Sequence, residues 1–299
     1  MIVSGTPQFK RVFQSLGPHL LSLLAWDFVV VVVFKVFHWE WISSRDIPLA
    51  LYGSTIGIVV AFRNSSAYSR WWEARKVWGQ IVNDSRNLAR QVCASLSANP
   101  EISAMQRKVV YHQIAFVYSL REQLRGLNPA PAIEGFVSSE ELAQLAREQN
   151  LPLALQYRMA AVLRDARNRD WISDWEWLSI DRTLSGLMAS QGAAERIKNT
   201  PLPKQYDFFL ILFVLIYCLL LPIGMVSALG WFTPLGSTLV GFMFLALDRI
   251  GRNLEDPFEN AAYDVPLTAI TKTIEINLRQ ILRDTALPEP EAACDGVLW

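Results

Sequence analysis

Residues 49–99 read LALYGSTIGIVVAFRNSSAYSRWWEARKVWGQIVNDSRNLARQVCASLSAN, without a proline. The first part of this stretch is apolar, and in the later part the less polar positions recur every three or four residues, as in a helix. Those positions are Trp71, Ala74, Trp78, Ile81, Ser85, Leu88 and Val92. At 1.5 Å per residue, roughly 50 helical residues reach about 75 Å, well beyond the thickness of a bilayer. The stretch therefore predicts one long, rigid helix that crosses a membrane and continues beyond it.

The composition of the whole chain also favours a membrane protein. Of its 299 residues, 52 % are hydrophobic, and the mean hydropathy is +0.20, which is high for a soluble domain. Four apolar stretches are each close to the roughly 20 residues that span a bilayer, and they cover residues 20–37, 47–62, 208–226 and 232–247. The last two are predicted to form a hairpin with a turn near 229–233, because one apolar helix of about 40 residues would be too long for the membrane.

Basic residues predict the orientation of these spans. Of 28 Lys and Arg residues, 19 lie between positions 63 and 204, whereas the connector 38–46 holds one Arg and the connector 229–232 holds none. Two basic pairs, Lys10 with Arg11 and Arg249 with Arg252, flank the first and last spans. Because Lys and Arg stay on the cytoplasmic side, both termini and the central region are predicted to be cytoplasmic. The N-terminal run lacks cleavage-site chemistry, so we expect a retained anchor.

Two charged residues lie in the first predicted span. Lys35, near its outer end, is expected to extend its ammonium group to the interface. Asp27 lies deeper, and it suits either a hydrogen bond to another helix or a position facing a lumen.

The region between the second and third spans predicts further helices and no strands. The predicted helices cover residues 102–125, 138–149, 152–166 and 171–191, with a connector at 126–136. Ser138 and Glu141 have the spacing of a capping box, and Pro152 suits a first helical turn. The tail after Leu287 is predicted to be loose. The predicted segments are 1–63 with the first two spans, 64–206 as a cytosolic helical domain, 207–248 with the last two spans, and 249–299 as a cytosolic end.

Motifs of enzymes and metal sites are missing from the sequence. It has no GxSxG, phosphate-binding loop, HExxH or dinucleotide glycine pattern, and its three Cys and three His residues lack metal-ligand spacing. The best cluster for chemistry is Asp248 and Arg249 with Glu255 and Asp256, whose acids suit helix caps and subunit salt bridges better than ion binding. We expect no catalysis, cofactor or metal, and the zero formal charge argues against nucleic acid as a partner.

Residues 61–79, AFRNSSAYSRWWEARKVWG, resemble the signature of the bestrophin family, in particular its bacterial branch. Two shorter blocks, LEDPF at 254–258 and DVPL at 264–267, are similar to the acidic Pro-Phe segment that this family has after its last span, and TPLP at 200–203 also fits. Together with the four-span layout, these blocks cover nearly the whole chain.

The resemblance implies a homopentamer around one central pore, lined by the second span and its extension. It also implies a narrow hydrophobic neck, whose positions correspond here to Ser54, Ile58 and Phe62. Their spacing of four residues places them on one helix face. Rings of Ile and Phe can close a pore by expelling water. Without the resemblance, packing against neighbouring helices would be the better interpretation of Ile58 and Phe62.

The resemblance further implies a second constriction at the cytoplasmic exit. Trp175 is the first candidate for it, followed by Leu178 and Ile180. This chain departs from many animal members in two places, because Ser54 replaces a bulky apolar residue and ENAAY at 259–263 replaces a run of aspartates. Calcium needs such hard oxygen ligands, so calcium gating by this route is not expected.

Taken together, these features predict an all-α, multi-pass protein of the inner membrane that conducts small monovalent ions passively, with the bilayer and four further copies as its partners. Family analogy favours anions such as chloride. The alternatives are a cation-selective channel of the same fold and, less favoured, a membrane transporter or scaffold. A transporter would show broken spans at matched positions in two inverted halves, whereas Gly and Pro interrupt only the second pair of spans.

Overall fold

The computed structural model describes residues 1–2, 9–39, 47–94 and 99–299, with the side chains of 9–15 and Tyr206 left aside. In these ranges the chain is helical, with isolated β-bridges in place of strands, as the sequence predicts. The helices are α1 (Phe9–Lys35), α2 (Leu49–Ala94), α3 (Pro100–Leu124), α4 (Ser139–Leu145), α5 (Leu151–Asn168), α6 (Asp174–Asn199), α7 (Lys204–Leu229), α8 (Thr233–Glu255) and α9 (Leu267–Ile281). The side chains of Lys10 and Arg11, and the connector residues 40–46 with Arg45, lie outside the described part.

Side-chain caps set where several helices begin. Asn99 Oδ1 accepts from the backbone N–H of Glu101 before Pro100 opens α3, and Ser173 with Glu176 forms a full capping box at α6. The helix predicted at 138–149 ends earlier, at Leu145, because Asn150 caps the next helix through the N–H of Leu153. Conversely, α6 continues past the predicted end at 191 to Asn199, two residues before Pro201.

The chain forms two compact units. We call Gly5–Arg70 with Pro201–Glu255 the span unit, and Met1–Ser4 with Trp71–Thr200 and Asp256–Trp299 the core unit. Helix α2 contributes residues to both, and it is unbroken over its 46 residues, as its sequence predicts.

Within the described residues of the span unit, Leu16–Lys35 and Asp207–Glu255 are long and apolar enough to cross a membrane. The second stretch contains α7 and α8, joined by a 3-10 turn over Gly230–Phe232. The predicted turn near 229–233 is therefore confirmed. Gly230 begins this turn with φ +53°, a conformation in which glycine lacks the steric penalty of other residues.

The core unit is built around α3, which packs against α5, α6 and α9. Val109, Ile114 and Leu120 are fully or almost fully buried on α3. Helix α9 was not predicted from the sequence, although Leu267, Thr271, Ile274 and Leu278 recur at helical spacing and are buried.

The end of the chain is ordered against its beginning. The Met1 amine donates to the Leu298 carbonyl at 2.5 Å, and the Leu298 N–H donates back to the Met1 carbonyl at 2.8 Å. Val297 is fully buried, and the Trp299 carbonyl accepts from the N–H of Ala269 on α9. The prediction of a loose tail is therefore wrong for residues 294–299, because an apolar side chain and backbone pairing hold them in place.

Candidate pore-lining surface

One face of α2 in the span unit is exposed although it is apolar. The side chains of Ile58 and Phe62 are 58 % and 71 % exposed, and Ser54 is exposed one turn earlier. The Ser54 hydroxyl donates to the Ala50 carbonyl at 2.7 Å, which satisfies it within its own helix. Val60, between the two apolar residues, is buried. The three predicted neck residues thus share one open face, which packing within a single chain leaves free.

The same face becomes polar toward the end of the span unit. Ser65 and Ser69 follow Phe62 at helical spacing, and both are exposed. The change from apolar to hydroxyl side chains along one open face suits a surface that water reaches.

A buried arginine on another side of α2 fixes this helix within the span unit. The Arg63 guanidinium donates to the carbonyl and a carboxylate oxygen of Asp248 at 2.9 and 3.1 Å. Asp207 lies 2.7 Å from the guanidinium and Glu255 lies 3.9 Å from it. A buried charge needs such partners, and the four residues come from α2, α7 and α8. Their contacts orient α2 so that Phe62, the preceding residue, remains open.

Close packing at Gly251 supports the same orientation. A Cβ atom built on Gly251 would lie 2.1 Å from Asn64 Oδ1 and 2.8 Å from Arg63 Nη1. Asn64 also donates to the Leu247 carbonyl at 2.9 Å. Asp248 and Glu255, singled out in the sequence as the best cluster for chemistry, therefore serve as ion-pair partners of Arg63. Sequence analysis missed Arg63 because its partners lie more than 140 residues away.

Asp27 joins α1 to α8 in the span unit. One carboxylate oxygen accepts from Ser237 Oγ at 3.0 Å, and the other accepts from Thr238 Oγ1 at 2.9 Å. The side chain is fully buried. Of the two roles considered for Asp27, the hydrogen bond between helices is the one observed. Lys35 is exposed at the end of α1.

The predicted second constriction falls at the start of α6 in the core unit. Trp175 is 83 % exposed and Leu178 is 50 % exposed, whereas Ile180 is 2 % exposed and belongs to the hydrophobic core. A side chain inside the core cannot line an opening, so Ile180 leaves the set of candidates. The capping hydrogen bonds from Ser173 lower the pKa of Glu176, and they hold the first turn that carries Trp175.

The acidic segment that follows α8 is held by hydrogen bonds and an ion pair. Among the described residues, no group of His, Cys, Asp and Glu side chains is arranged to bind a metal ion. In the core unit, Asp256 pairs with the Lys198 ammonium at 2.5 Å and also accepts from the N–H of Phe258. Asp264 accepts from the N–H of Ala261 at 2.9 Å, and burial raises its pKa to about 6. The carboxylates of Asp256 and Asp264 therefore stabilise the loop between α8 and α9, and Lys198 supplies the positive charge that pairs with Asp256.

Comparison with known proteins identifies relatives along nearly the full chain. A sequence profile of the family described as Bacterial/Fungal Bestrophin protein matches residues 8–280. A voltage-dependent anion channel-forming protein of Mesorhizobium japonicum is 34 % identical over 292 residues, with 94 % of this chain and 92 % of the relative covered. An Escherichia coli protein with the same description is 33 % identical over 271 residues, with 89 % of this chain and 87 % of the relative covered. The crystal structure of a bacterial bestrophin homologue from Klebsiella pneumoniae superimposes with a TM-score of 0.85 at 30 % identity, covering 89 % of this chain and 98 % of that one.

Proposed function

Because this chain belongs to the bestrophin family of bacteria and fungi, we propose that it is a passive channel for small monovalent anions, formed by five copies around one pore. The exposed face of Ser54, Ile58 and Phe62 carries this proposal. An open apolar face that becomes polar along one helix suits a pore wall better than a core contact. The relatives from Mesorhizobium japonicum and Escherichia coli are described as voltage-dependent anion channel-forming proteins, which supports anions over cations.

The neck is the proposed barrier of this channel. Water is unstable in a narrow apolar tube, so rings of Ile58 and Phe62 oppose the entry of hydrated ions until the pore widens. Ser54 supplies a hydroxyl in place of a third apolar ring, which shortens the dry segment. Trp175 and Leu178, both exposed at the start of α6, are proposed to form the second constriction.

The proposed topology has four membrane-spanning segments in the inner membrane, with both termini and the core unit in the cytoplasm. The first third of α2 supplies the second span, and α1, α7 and α8 supply the others. The distribution of Lys and Arg along the chain supports this orientation.

The reversal potential of the purified protein in a planar bilayer tests the function directly. With a KCl gradient across the bilayer, an anion channel reverses near the chloride equilibrium potential, and a cation channel reverses at the opposite sign. The Ile58→Ala variant serves as the matched control, since a change in its unitary current shows that this chain carries the current. Absence of current above the leak would refute the channel, and reversal near the potassium potential would refute only the anion preference.

A further inference from the structure

The part of α2 that belongs to the core unit carries a polar, exposed stripe. Its members recur every three or four residues, and all are exposed; they are Trp72, Lys76, Gln80, Asn83, Asn87 and Arg90. We call this set the basic stripe. Lys76 follows Ile58 by 18 residues, which is five turns of an α-helix.

The charges on the basic stripe have one sign. Lys76 and Arg90 have no ion-pair or hydrogen-bond partner among the residues that the structure describes. A neighbouring basic residue off the stripe, Arg86, is by contrast held by the Asn277 side chain at 2.7 and 2.9 Å. The two cationic groups of the stripe are therefore free to act on a mobile ion.

The carboxylates of α2 are withdrawn from this stripe. Glu73 is paired with Arg196 at 2.6 Å. Asp84 is buried, accepts from Gln80 Nε2 at 2.9 Å, and has a pKa raised by its burial. The core-unit part of α2 thus presents positive charge on its open face, although the chain as a whole has a formal charge of zero.

We propose that Lys76, supported by Arg90, determines the anion preference of the pore by lining the vestibule that the core-unit part of α2 would form in the pentamer. This proposal rests on the channel proposed above. In a pentamer, each position would form a ring of five like charges, and the two rings would be about 21 Å apart along the helix. A cavity with low-dielectric walls focuses the field of such rings and raises the local concentration of counter-ions. The neck residues carry no charge, so the charged residues of the vestibule determine whether anions or cations are preferred.

The test measures the chloride-to-potassium permeability ratio of the wild type and of Lys76→Gln, Lys76→Glu and Lys76→Arg variants in planar bilayers. We expect Lys76→Gln to lower the ratio severalfold and Lys76→Glu to lower it by roughly tenfold or more, whereas Lys76→Arg should keep the wild-type ratio. The differences should be large in about 0.01 M salt and small in 1 M salt, because the screening length falls from about 30 Å to 3 Å. A purely structural role of Lys76 would not produce this dependence on salt.

Lys108→Glu is the matched control, because Lys108 is also exposed but lies on α3. It should leave the permeability ratio unchanged. A ratio that stays at the wild-type value in Lys76→Glu, or that shifts equally in Lys108→Glu, would overturn the role of Lys76 while leaving the channel intact. Loss of all current in the wild type would instead refute the channel itself. If the Lys76→Glu variant fails to assemble, the chloride-to-potassium permeability ratio of Lys76→Gln at low salt decides whether Lys76 sets the anion preference. Gln is uncharged and similar in length to Lys.

Discussion

Neighbouring side chains on α2 have opposite surroundings, since Ile58 and Phe62 are open and Val60 is buried. Replacing both open residues with Ala should raise unitary conductance or open probability, because the apolar tube becomes wider. The free energy of unfolding should change far less than the roughly 2–5 kcal/mol that each buried truncation costs. Single-channel recording and thermal unfolding of the double variant measure the two effects. Val60→Ala is the control, and it should lower stability without increasing the current. An unstable, non-conducting double variant would show that Ile58 and Phe62 are core residues.

A second residue-scale prediction concerns Asp264, whose pKa burial raises from 3.8 to about 6. The folded protein therefore binds this proton more tightly than the unfolded chain does. The resulting stabilisation is complete below about pH 4 and is lost as the pH rises through 6. The unfolding midpoint of Asp264→Asn should therefore rise relative to that of the wild type as the pH increases from 4 to 6, whereas the midpoint of the exposed Glu289→Gln variant should not. The test is to measure the thermal unfolding midpoint of each protein at several pH values between 4 and 6. Parallel curves of midpoint against pH for Asp264→Asn and wild type would contradict the prediction.

At the scale of elements, the last six residues are expected to stabilise the core unit. Deleting residues 294–299 removes the fully buried Val297 and the backbone pairing with Met1. Burial of a Val side chain alone contributes about 1.5–3 kcal/mol, so the thermal midpoint should fall by several degrees. Cys294→Ser, a change at an exposed side chain in the same segment, should leave the midpoint in place. An unchanged midpoint after the deletion would mean that the tail adds no stability.

The elements also explain what the sequence could predict. The length of α2 follows from a local pattern, since 46 residues without a proline keep helical spacing. The same pattern placed Ser54, Ile58 and Phe62 on one face. The surroundings of Arg63 and Val297 depend on segments far away in the chain, and no local periodicity reveals such pairs. The burial of Ile180 could not be predicted for a similar reason, because it depends on which segments pack against α6.

For the whole molecule, the decisive prediction is the number of chains around the pore. One chain has a mass of 33.9 kDa, so five copies have a mass of about 170 kDa, taken as 5 × 33.9 kDa. Native mass spectrometry in mild detergent should find this species, because a face such as Ile58 and Phe62 needs other copies to enclose a lumen. A monomer or dimer with full conductance would contradict the shared pore.

The core unit is assembled from three separate pieces of the chain, the last of which, Asp256–Trp299, includes α9. This arrangement constrains the order of events on the ribosome. After Thr200 has been added, 81 residues must still be made before α9 ends at Ile281, which takes about 4–16 s at ordinary rates of translation. During that interval α3 lacks the cover of α9, and α7 and α8, which the proposed topology places in the membrane, are still being synthesised. The core unit can therefore complete its fold only after α7 and α8 have been synthesised, so in the proposed topology the last hairpin is available for insertion before the final step of folding.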